Sequence, residues 1–278
     1  MYFAFLFVIS HPEMKEITEV AELRSIQIAI LDDIVGFCER NQIKYSLCGG
    51  TLIGALRHKG YIPWDDDIDI YMMRAEYDRF LTLYNKEQEE KLSPYRLLSP
   101  EISSHYLYSF GKVVDTRTVM VEDEVEGYEL GVYVDVFPID YCKENDKART
   151  RQFWLMNTLY KMRRAKKSYN NFMRSAISYY GYKLFPLPVK AVEWLENKFV
   201  FLRKPTALVS NMHNNKMPIT QVYPADFMEK LIDLEFEGKK YKAMEDYDTY
   251  LRRTYKFHYM TLPPEDQRIH HHFKAWWK

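Results

Sequence analysis

Apolar residues recur along the chain with two different periods, which together predict a mixture of helices and strands. Steps of three and four residues predict helices over 15–41, 74–91 and 246–253, and a mainly helical region over 146–201. Alternation at every second residue, or short β-branched and aromatic runs, predicts strands at 45–48, 67–70, 95–98, 106–114, 118–121, 131–137, 232–236 and 240–244. Strands interspersed with helices are typical of an α/β domain.

The most informative stretch is residues 47–71, LCGGTLIGALRHKGYIPWDDDIDIY. From Asp67 on, acidic and apolar residues alternate, so Asp67 and Asp69 share one strand face, with Cα atoms ~6.6 Å apart at ~3.3 Å rise per residue. Two neighbouring carboxylates repel each other, and a divalent cation between them removes the conflict. Oxygen ligands of this kind suit Mg²⁺, which usually takes one or two carboxylates plus substrate phosphates. An Asp-x-Asp pair alone is also common as a solvated acidic turn.

The first half of this stretch has the features of a phosphate-binding loop. Gly49 and Gly50 allow close approach of a ligand to the backbone. Thr51 can cap a helix that runs to about Lys59, and the free N–H groups at a helix N-terminus attract anions. The stretch therefore combines a predicted phosphate cradle with a predicted cation site.

A strand, Gly-Gly-Thr, a helix and a strand with Asp-x-Asp is the arrangement of the nucleotidyltransferase superfamily. In particular, GGTLIGALRHKGYIPWDDDIDI closely resembles the LicD family of phosphorylcholine transferases, to which the fukutin proteins are related. The resemblance covers roughly residues 14–272 and implies an α/β fold, with a nucleotidyltransferase-like mixed sheet flanked by helices. We expect a catalytic core at 14–145, a helical basic and aromatic insertion at 146–205, and a small β-containing C-terminal part at 206–278 packed on the core.

The segment at 131–140, GVYVDVFPID, offers a third carboxylate. A single Asp135 in an otherwise β-branched and aromatic strand needs a partner, which is either a buried lysine or arginine or a shared metal ion. The resemblance implies the second: this strand lies beside the one carrying Asp67 and Asp69, and Asp135 completes the site. Asp140 follows the proline and is predicted to form a turn or a helix cap.

The resemblance implies transfer of phosphocholine from CDP-choline to a sugar hydroxyl of a bacterial surface glycan, such as lipopolysaccharide, or of a teichoic acid precursor, with release of CMP. Mg²⁺ or Mn²⁺ would be the cofactor, and the acceptor is expected to be lipid-linked. The expected metal ligands and catalytic residues are Asp67, Asp69 and Asp135. The expected substrate contacts are Gly49, Gly50, Thr51, Arg57, His58, Trp64, Lys112 and Tyr133.

Several alternatives stay open at this point. Lys112 is equally consistent with a strand-edge lysine. Another phospho-alcohol, such as phosphoribitol, is possible, as is an Asp-x-Asp nucleotide-sugar glycosyltransferase, although the latter would not need Gly-Gly-Thr ahead of the acidic strand. A non-catalytic relative is disfavoured by the three carboxylates. Choline would be recognised by aromatic faces. The candidate rings, each of which is also a candidate for core packing, are Tyr61, Trp64, Tyr106, Tyr108 and Tyr133.

Composition and charge narrow the partners and the compartment. The formal net charge is zero, which gives no support to nonspecific nucleic-acid binding. Three cysteines without a C-x-x-C pair suggest neither a disulfide framework nor a zinc site, so a reducing cytoplasm is expected. The basic run at 161–167 is predicted to be a solvated helix face, or alternatively a peripheral contact with anionic lipid at the inner face of the membrane.

Two further segments depart from the expected pattern. Residues 1–13 are strongly apolar but shorter than the ~20 residues needed to span a bilayer, and they read as a packed segment or as extra residues ahead of a start at Met14. The segment 255–260, YKFHYM, lacks the glycine and the acid that the family usually has there. If that loop touches substrate, the donor or the acceptor differs.

Overall fold

The protein is described by a computed structural model at residues 14–103, 106, 108–121, 129–164, 189–202, 204–213, 221–255, 258–265, 268 and 273–278. The helices are α1 (Val20–Asn41), α2 (Gly49–Arg57), α3 (Arg74–Glu90), α4 (Asp146–Arg164), α5 (Val189–Leu195) and α6 (Tyr247–Thr254), with a π-helical turn at Glu196–Val200. Among these helices, none is long and apolar enough to cross a membrane. Segment 1–13, Lys166 and Lys167 of the basic run, and 256–257 of the altered loop lie outside the described residues.

The strands form two sheets. They are β1 (Lys15–Ile17), β2 (Ser46–Leu47), β3 (Asp69–Met73), β4 (Tyr95–Leu98), β5 (Gly111–Asp115), β6 (Thr118–Val121), β7 (Glu129–Leu130), β8 (Tyr133–Tyr141), β9 (Leu208–Ser210), β10 (Tyr223–Pro224), β11 (Leu231–Phe236), β12 (Lys239–Met244) and β13 (Lys274–Trp277). The larger sheet has the order β10-β9-β8-β3-β2-β12-β11; off this path, β5 pairs with the first half of β8, and β4 pairs with β5. The smaller sheet is β1-β13-β6-β7.

The larger sheet is mixed, which confirms the expected α/β fold. β3 and β8 are parallel, as are β2 and β12, whereas the other pairs in this sheet are antiparallel. Helices α1 and α3 both contact β8, and α2 contacts β3 and β11. The helices bury their apolar stripes here, with Ile30, Ile34 and Phe80 fully buried. The result of this packing is a sheet flanked by helices, with its core beneath β3 and β8.

Two local predictions fail because their deciding partners are distant in sequence. Residues 15–17 were expected to begin the first helix, but Lys15–Ile17 pairs with Ala275 to Trp277 as an edge strand. Asp140 was expected in a turn or cap, but β8 continues through Pro138 to Tyr141, and the Asp140 side chain is only 2% exposed. Asp140 receives two hydrogen bonds from Arg74, at 2.6 and 2.9 Å.

The environment of Asp140 explains why a charge is tolerated inside a strand. Besides Arg74, the ring of His213 lies with Nε2 at 2.9 Å from an Asp140 oxygen. Burial alone would raise the pKa of Asp140, but the charge of Arg74 and the hydrogen bonds from His213 and Arg74 together outweigh this effect and hold the pKa well below its ordinary value. A buried carboxylate with such partners joins α3, β8 and the segment after β9.

The C-terminal residues extend the larger sheet. Strand β12 pairs in parallel with β2, so the hairpin β11–β12 becomes one edge, while β9 pairs with β8. At the hairpin turn, the Glu237 carboxylate accepts the backbone N–H of Tyr61 at 3.0 Å. A Cβ on Gly60 would lie 2.2 Å from that same carboxylate oxygen, so a larger residue there would displace the Glu237 side chain. The hairpin therefore fixes the connection between α2 and β3.

Candidate active site

Strand pairing places three predicted site residues side by side. Asp69 on β3 is the register partner of Asp135 on β8, and Asp135 is in turn the partner of Lys112 on β5. The prediction that the strand of Asp135 neighbours the acidic strand is therefore confirmed. Strand β3 begins at Asp69, so Asp67 belongs to the preceding loop and not to the strand. Its charge nevertheless contributes to raising the pKa of Asp69 and of Asp135.

The start of α2 is packed against two aspartates. Gly49 has a φ of +56°, and a Cβ there would lie 2.9 Å from an Asp69 carboxylate oxygen. A Cβ on Gly50 would lie 2.4 Å from a carboxylate oxygen of Asp65. The two glycines thus leave room for carboxylates at the positive end of a helix, where negative charge is stabilised. Sequence reasoning assigned this room to a phosphate and left Asp65 out of the site.

Thr51 does not cap α2, contrary to the prediction. The N-cap is Cys48, which makes no side-chain capping hydrogen bond. The buried hydroxyl of Thr51 instead accepts the backbone N–H of Asp69 at 2.9 Å. The reason is that β3 begins directly beside the first turn of α2, so a strand donor is closer than a helix donor.

Burial and mutual repulsion dominate the electrostatics of the acidic cluster, which we define as Asp65, Asp67, Asp69 and Asp135. Burial, followed by the neighbouring Asp67, raises the pKa of Asp65 to about 8. The same two causes raise the pKa of Asp69 well above its ordinary value. Burial raises the pKa of Asp135 to about 6, although Lys112 opposes the rise. Carboxylates crowded in this way are stabilised by any added positive charge.

Helix α1 holds the loop that carries Asp65 and Asp67. Arg24 donates from Nη2 to the Asp65 carbonyl oxygen at 2.6 Å, and to two earlier carbonyl oxygens of the loop at 3.1 and 3.2 Å. Gln27 donates to the Asp66 carbonyl oxygen at 2.7 Å and accepts the Tyr61 hydroxyl at 2.9 Å. Sequence analysis gave this helix no part in the site, because polar residues on a mostly apolar stripe carry no local sign of their partners.

Lys112 is a buried residue, so the strand-edge alternative is wrong. It is 2% exposed and donates from Nζ to Asp135 Oδ1 at 2.7 Å. Its ammonium lies 3.3 Å from the ring centroid of Tyr133, 4.7 Å from that of Tyr108 and 5.4 Å from that of Phe110. Burial lowers the pKa of Lys112, while Asp135 opposes the effect. The buried-lysine partner considered for Asp135 is therefore present.

A separate group of contacts, away from the start of α2, contains Arg57, His58 and Trp64. Arg57 lies at the far end of α2, ~12 Å along the axis from Gly49 at ~1.5 Å per residue. It donates to His58 Nε2 at 2.8 Å and to the Tyr259 carbonyl oxygen at 3.0 Å. Burial lowers the pKa of His58 and the charge of Arg57 lowers it further, so a neutral ring accepts this bond. The guanidinium of Arg57 is 6.0 Å from the ring centroid of Trp64.

Two tyrosines near the cluster were missed from the sequence. The pKa of Tyr255 is raised by burial and then by the charge of Asp69, with smaller effects from Asp65 and Asp67. The Tyr250 hydroxyl accepts the backbone N–H of Gly49 at 3.1 Å and donates to the Tyr71 hydroxyl at 3.3 Å. Nothing in the local pattern of α6 indicates that it reaches the start of α2. Asp65, in contrast, could have been predicted as a site residue, because it belongs to the acidic run in the sequence.

The donor set is suited to a hard cation that keeps other ligands. Within the described residues, no group of three or more His, Cys, Asp and Glu side chains is arranged to hold a metal ion by itself. Mg²⁺ does not need a full protein cage, because one or two carboxylates with waters and substrate phosphates are its usual ligands. The crowded carboxylates Asp65, Asp67 and Asp69 fit that requirement, while Asp135 Oδ1 is already engaged by Lys112.

Comparison with known proteins places this geometry in a family. Residues 42–177 match the family model described as LicD/FKTN/FKRP, nucleotidyltransferase domain. Over 267 residues, 93% of this chain and 97% of the relative, the chain is 32% identical to the lipopolysaccharide cholinephosphotransferase LicD of Haemophilus influenzae. The chain belongs to the LicD family. The matched domain contains all four members of the acidic cluster and Lys112.

Other relatives match shorter parts of the chain. The ribitol 5-phosphate transferase FKRP of Homo sapiens is 30% identical over 112 residues, which are 40% of this chain and 17% of that protein. An uncharacterised Rickettsia typhi protein is 26% identical over 128 residues, 46% of this chain and 38% of that protein. Both relatives with a named activity transfer a phosphorylated alcohol, and this LicD-family chain is a phosphotransferase.

Proposed function

We propose that this phosphotransferase moves phosphocholine from CDP-choline to a sugar hydroxyl of a bacterial surface glycan or teichoic acid precursor and releases CMP. The observation that carries the proposal is the acidic cluster at the N-terminus of α2, in which Asp69 and Asp135 are register partners. The 32% identity to a cholinephosphotransferase across 93% of the chain supports the choice of alcohol. The acceptor sugar is proposed by class only.

The donor diphosphate would lie beside the acidic cluster, on the side that the N-terminus of α2 faces. Asp67 and Asp69 would hold Mg²⁺ or Mn²⁺, with Asp65 beside them, and the ion when bound would neutralise the charge of the diphosphate. Phosphoryl transfer depends mainly on positioning and charge neutralisation, so few further groups are needed. The backbone N–H of Gly50 and the dipole of α2 would add positive potential on the same side.

Asp135 would act as the base that receives the proton of the acceptor hydroxyl. The acceptor oxygen forms a bond to the phosphorus of phosphocholine, the bond to the CMP oxygen breaks, and the hydroxyl proton goes to Asp135 Oδ2. Lys112 holds Oδ1 at 2.7 Å and thereby orients the carboxylate. A pKa near 6, raised by burial, suits a group that must be ionised and yet accept a proton near neutral pH.

Choline recognition is proposed at an aromatic ring. Of the five candidate rings, Tyr61, Tyr106 and Tyr108 are buried, whereas Trp64 and Tyr133 are partly exposed. Trp64 directly precedes the acidic cluster, and its ring centroid lies 6.0 Å from Arg57 and 5.0 Å from Arg268. It is the better test, since changing Tyr133 would disturb Lys112 and with it the orientation of Asp135. We expect Trp64→Leu to weaken CDP-choline binding about tenfold, or ~1.4 kcal/mol, and to leave CMP binding nearly unchanged. Calorimetry that finds CDP-choline no tighter than CDP in the unmodified protein would contradict the idea.

The alternative donor is CDP-ribitol, which the similarity to a ribitol 5-phosphate transferase favours. The test is to incubate the purified protein and Mg²⁺ with a glycan acceptor and, separately, CDP-choline, CDP-ribitol or a nucleotide sugar, and to quantify the nucleotide product. CMP release that depends on acceptor and occurs with CDP-choline supports the proposal. Release with CDP-ribitol alone changes the alcohol, and release from a nucleotide sugar alone would overturn phospho-alcohol transfer.

A further inference from the structure

The helical region carries exposed aromatic side chains beside a lysine. Trp194 at the end of α5 is 56% exposed and Phe199 in the π-helical turn is 53% exposed. Their ring centroids are 6.1 Å apart in an edge-to-face arrangement. The ammonium of Lys198 lies 4.5 Å from the Trp194 ring centroid and 5.4 Å from that of Phe199. Large exposed rings that touch one another are unusual on a surface that meets only water.

An electropositive cleft adjoins these rings. Trp194 and the exposed lysines Lys143, Lys198 and Lys204 line an open cleft of about 870 Å³. Glu144 also lines it, and its carboxylate accepts the backbone N–H of Ala207 at 3.0 Å. The charged residues that line the cleft are three lysines and one glutamate, so the cleft is locally positive. The whole chain, in contrast, has a formal net charge of zero. We call the rings and the cleft together the Trp194 surface.

We propose that the Trp194 surface binds a membrane interface that carries anionic lipid. Lysine ammonium groups would meet the lipid phosphates while the rings enter the boundary between head groups and acyl chains. Tryptophan and lysine are both suited to this boundary, since each has an apolar body and a polar tip. Phe199 has no polar atom, so it gains only from an apolar partner. The proposal is independent of which donor the active site uses.

The ring arrangement favours lipid over a single-stranded nucleic acid. Bases stack on open ring faces, but here one ring meets the other edge to face and Lys198 lies close to both rings. Insertion into a lipid interface needs only the apolar bodies of the rings. The charge of the cleft matches an anionic head group, whereas a zwitterionic surface would offer less attraction.

The test is flotation of the full chain with phosphatidylcholine vesicles, with and without phosphatidylglycerol. We expect binding to the anionic vesicles that weakens as salt is raised. Lys198→Ala and Lys204→Ala should each reduce partitioning about fivefold, which corresponds to about 1 kcal/mol per lysine at such a surface. Trp194→Ala combined with Phe199→Ala should abolish it. Leu92→Ala and Lys230→Ala, at side chains exposed elsewhere, are matched controls that should bind normally.

A second measurement keeps the proposal testable if a variant folds poorly. Brominated lipids should quench tryptophan fluorescence in the unmodified protein, and Trp194→Phe should remove most of that quenching. The proposal is overturned if anionic vesicles do not bind, if the surface variants bind like the controls, or if Trp194→Phe leaves the quenching unchanged. Binding of a single-stranded oligonucleotide, or self-association lost in the same variants without any vesicle binding, would assign the surface to another partner.

Discussion

At the scale of single residues, the site is defined by the partner that each buried polar group has. Lys112 and Asp135 are both buried, and each is the other's partner at 2.7 Å. Thr51 supplies the acceptor for the N–H of Asp69 at 2.9 Å. Gly49 and Gly50 are small because carboxylates occupy the space that a Cβ would need. The chemistry therefore rests on residues that also satisfy one another structurally.

Asp135→Asn should separate the catalytic and the structural role of this carboxylate. If Asp135 is the base, we expect transfer to fall by about 10²–10⁴-fold, the scale of general-base catalysis, while circular dichroism stays native. Asp66→Asn is the matched control, since Asp66 lies between Asp65 and Asp67 in the loop, and it should lose little activity. Near-normal transfer by a folded Asp135→Asn protein would show that Asp135 is not the base and that its role is limited to the ion pair with Lys112.

At the scale of elements, buried polar contacts join segments that no hydrophobic pattern connects. Arg24 of α1 holds the backbone of the acidic loop, and Tyr250 of α6 accepts the N–H of Gly49 at the start of α2. Asp140 joins β8 to Arg74 of α3 and to His213. These contacts hold the ends of α2 and β3 in place, because each anchors a backbone group or a charge that would otherwise be unsatisfied.

The contact around Asp140 should make the protein sensitive to acid. The folded pKa of Asp140 is depressed, so its contribution to stability is present above the ordinary pKa and is lost as pH falls toward the folded value. His213, whose folded pKa is lowered by burial, adds destabilisation in the same direction below its ordinary pKa. Asp140→Asn should therefore lower the free energy of unfolding by ~3–5 kcal/mol at neutral pH and flatten the further loss of stability as pH falls below about 4.

Urea unfolding at neutral pH and at a pH below about 4 measures both effects. Asp78→Asn is the control, since Asp78 also pairs with Arg74, at 3.5 Å, but its side chain is 60% exposed. We expect it to cost no more than ~0.5 kcal/mol. An Asp140→Asn protein as stable as the Asp78→Asn protein would show that Arg74 finds another counter-charge.

At the scale of the whole molecule, the acidic cluster depends on elements from almost the entire chain. The larger sheet combines strands from residue 46 to residue 244, and the C-terminal hairpin supports the connection that leads into the cluster. Crowding carboxylates at the centre of such a sheet has a cost in the absence of a cation. A ligand that binds only the folded state repays this cost by mass action.

Magnesium should therefore raise the melting temperature. We expect the rise to vanish in the double variant Asp67→Asn/Asp69→Asn and to persist in Asp66→Asn, as measured by thermal denaturation with and without Mg²⁺. Sodium chloride at the same ionic strength would separate specific binding from screening by salt. An equal rise in the double variant would remove the cation site from the acidic cluster.

The sequence by itself determined the local elements and the chemical class of the site. Period-three-and-four and period-two patterns depend only on neighbouring residues, so α3, β4, the hairpin β11–β12 and α6 agree with their predictions to within a few residues. The acidic run, Gly-Gly-Thr and Asp135 could be recognised because their residue types are chemically unusual for the elements that carry them. The family followed from the same residues.

Tertiary structure alone decided which partner each polar group has. Thr51 faces a strand and not its own helix, Asp140 lies inside a strand beside Arg74, and Lys112 is buried against Asp135. In each case the deciding atom comes from an element distant in sequence, and a local pattern holds no information about it. Periodicity predicts that a side chain faces inward, but only the fold determines which groups it contacts there. For a buried charged group, those contacts determine both its pKa and its role.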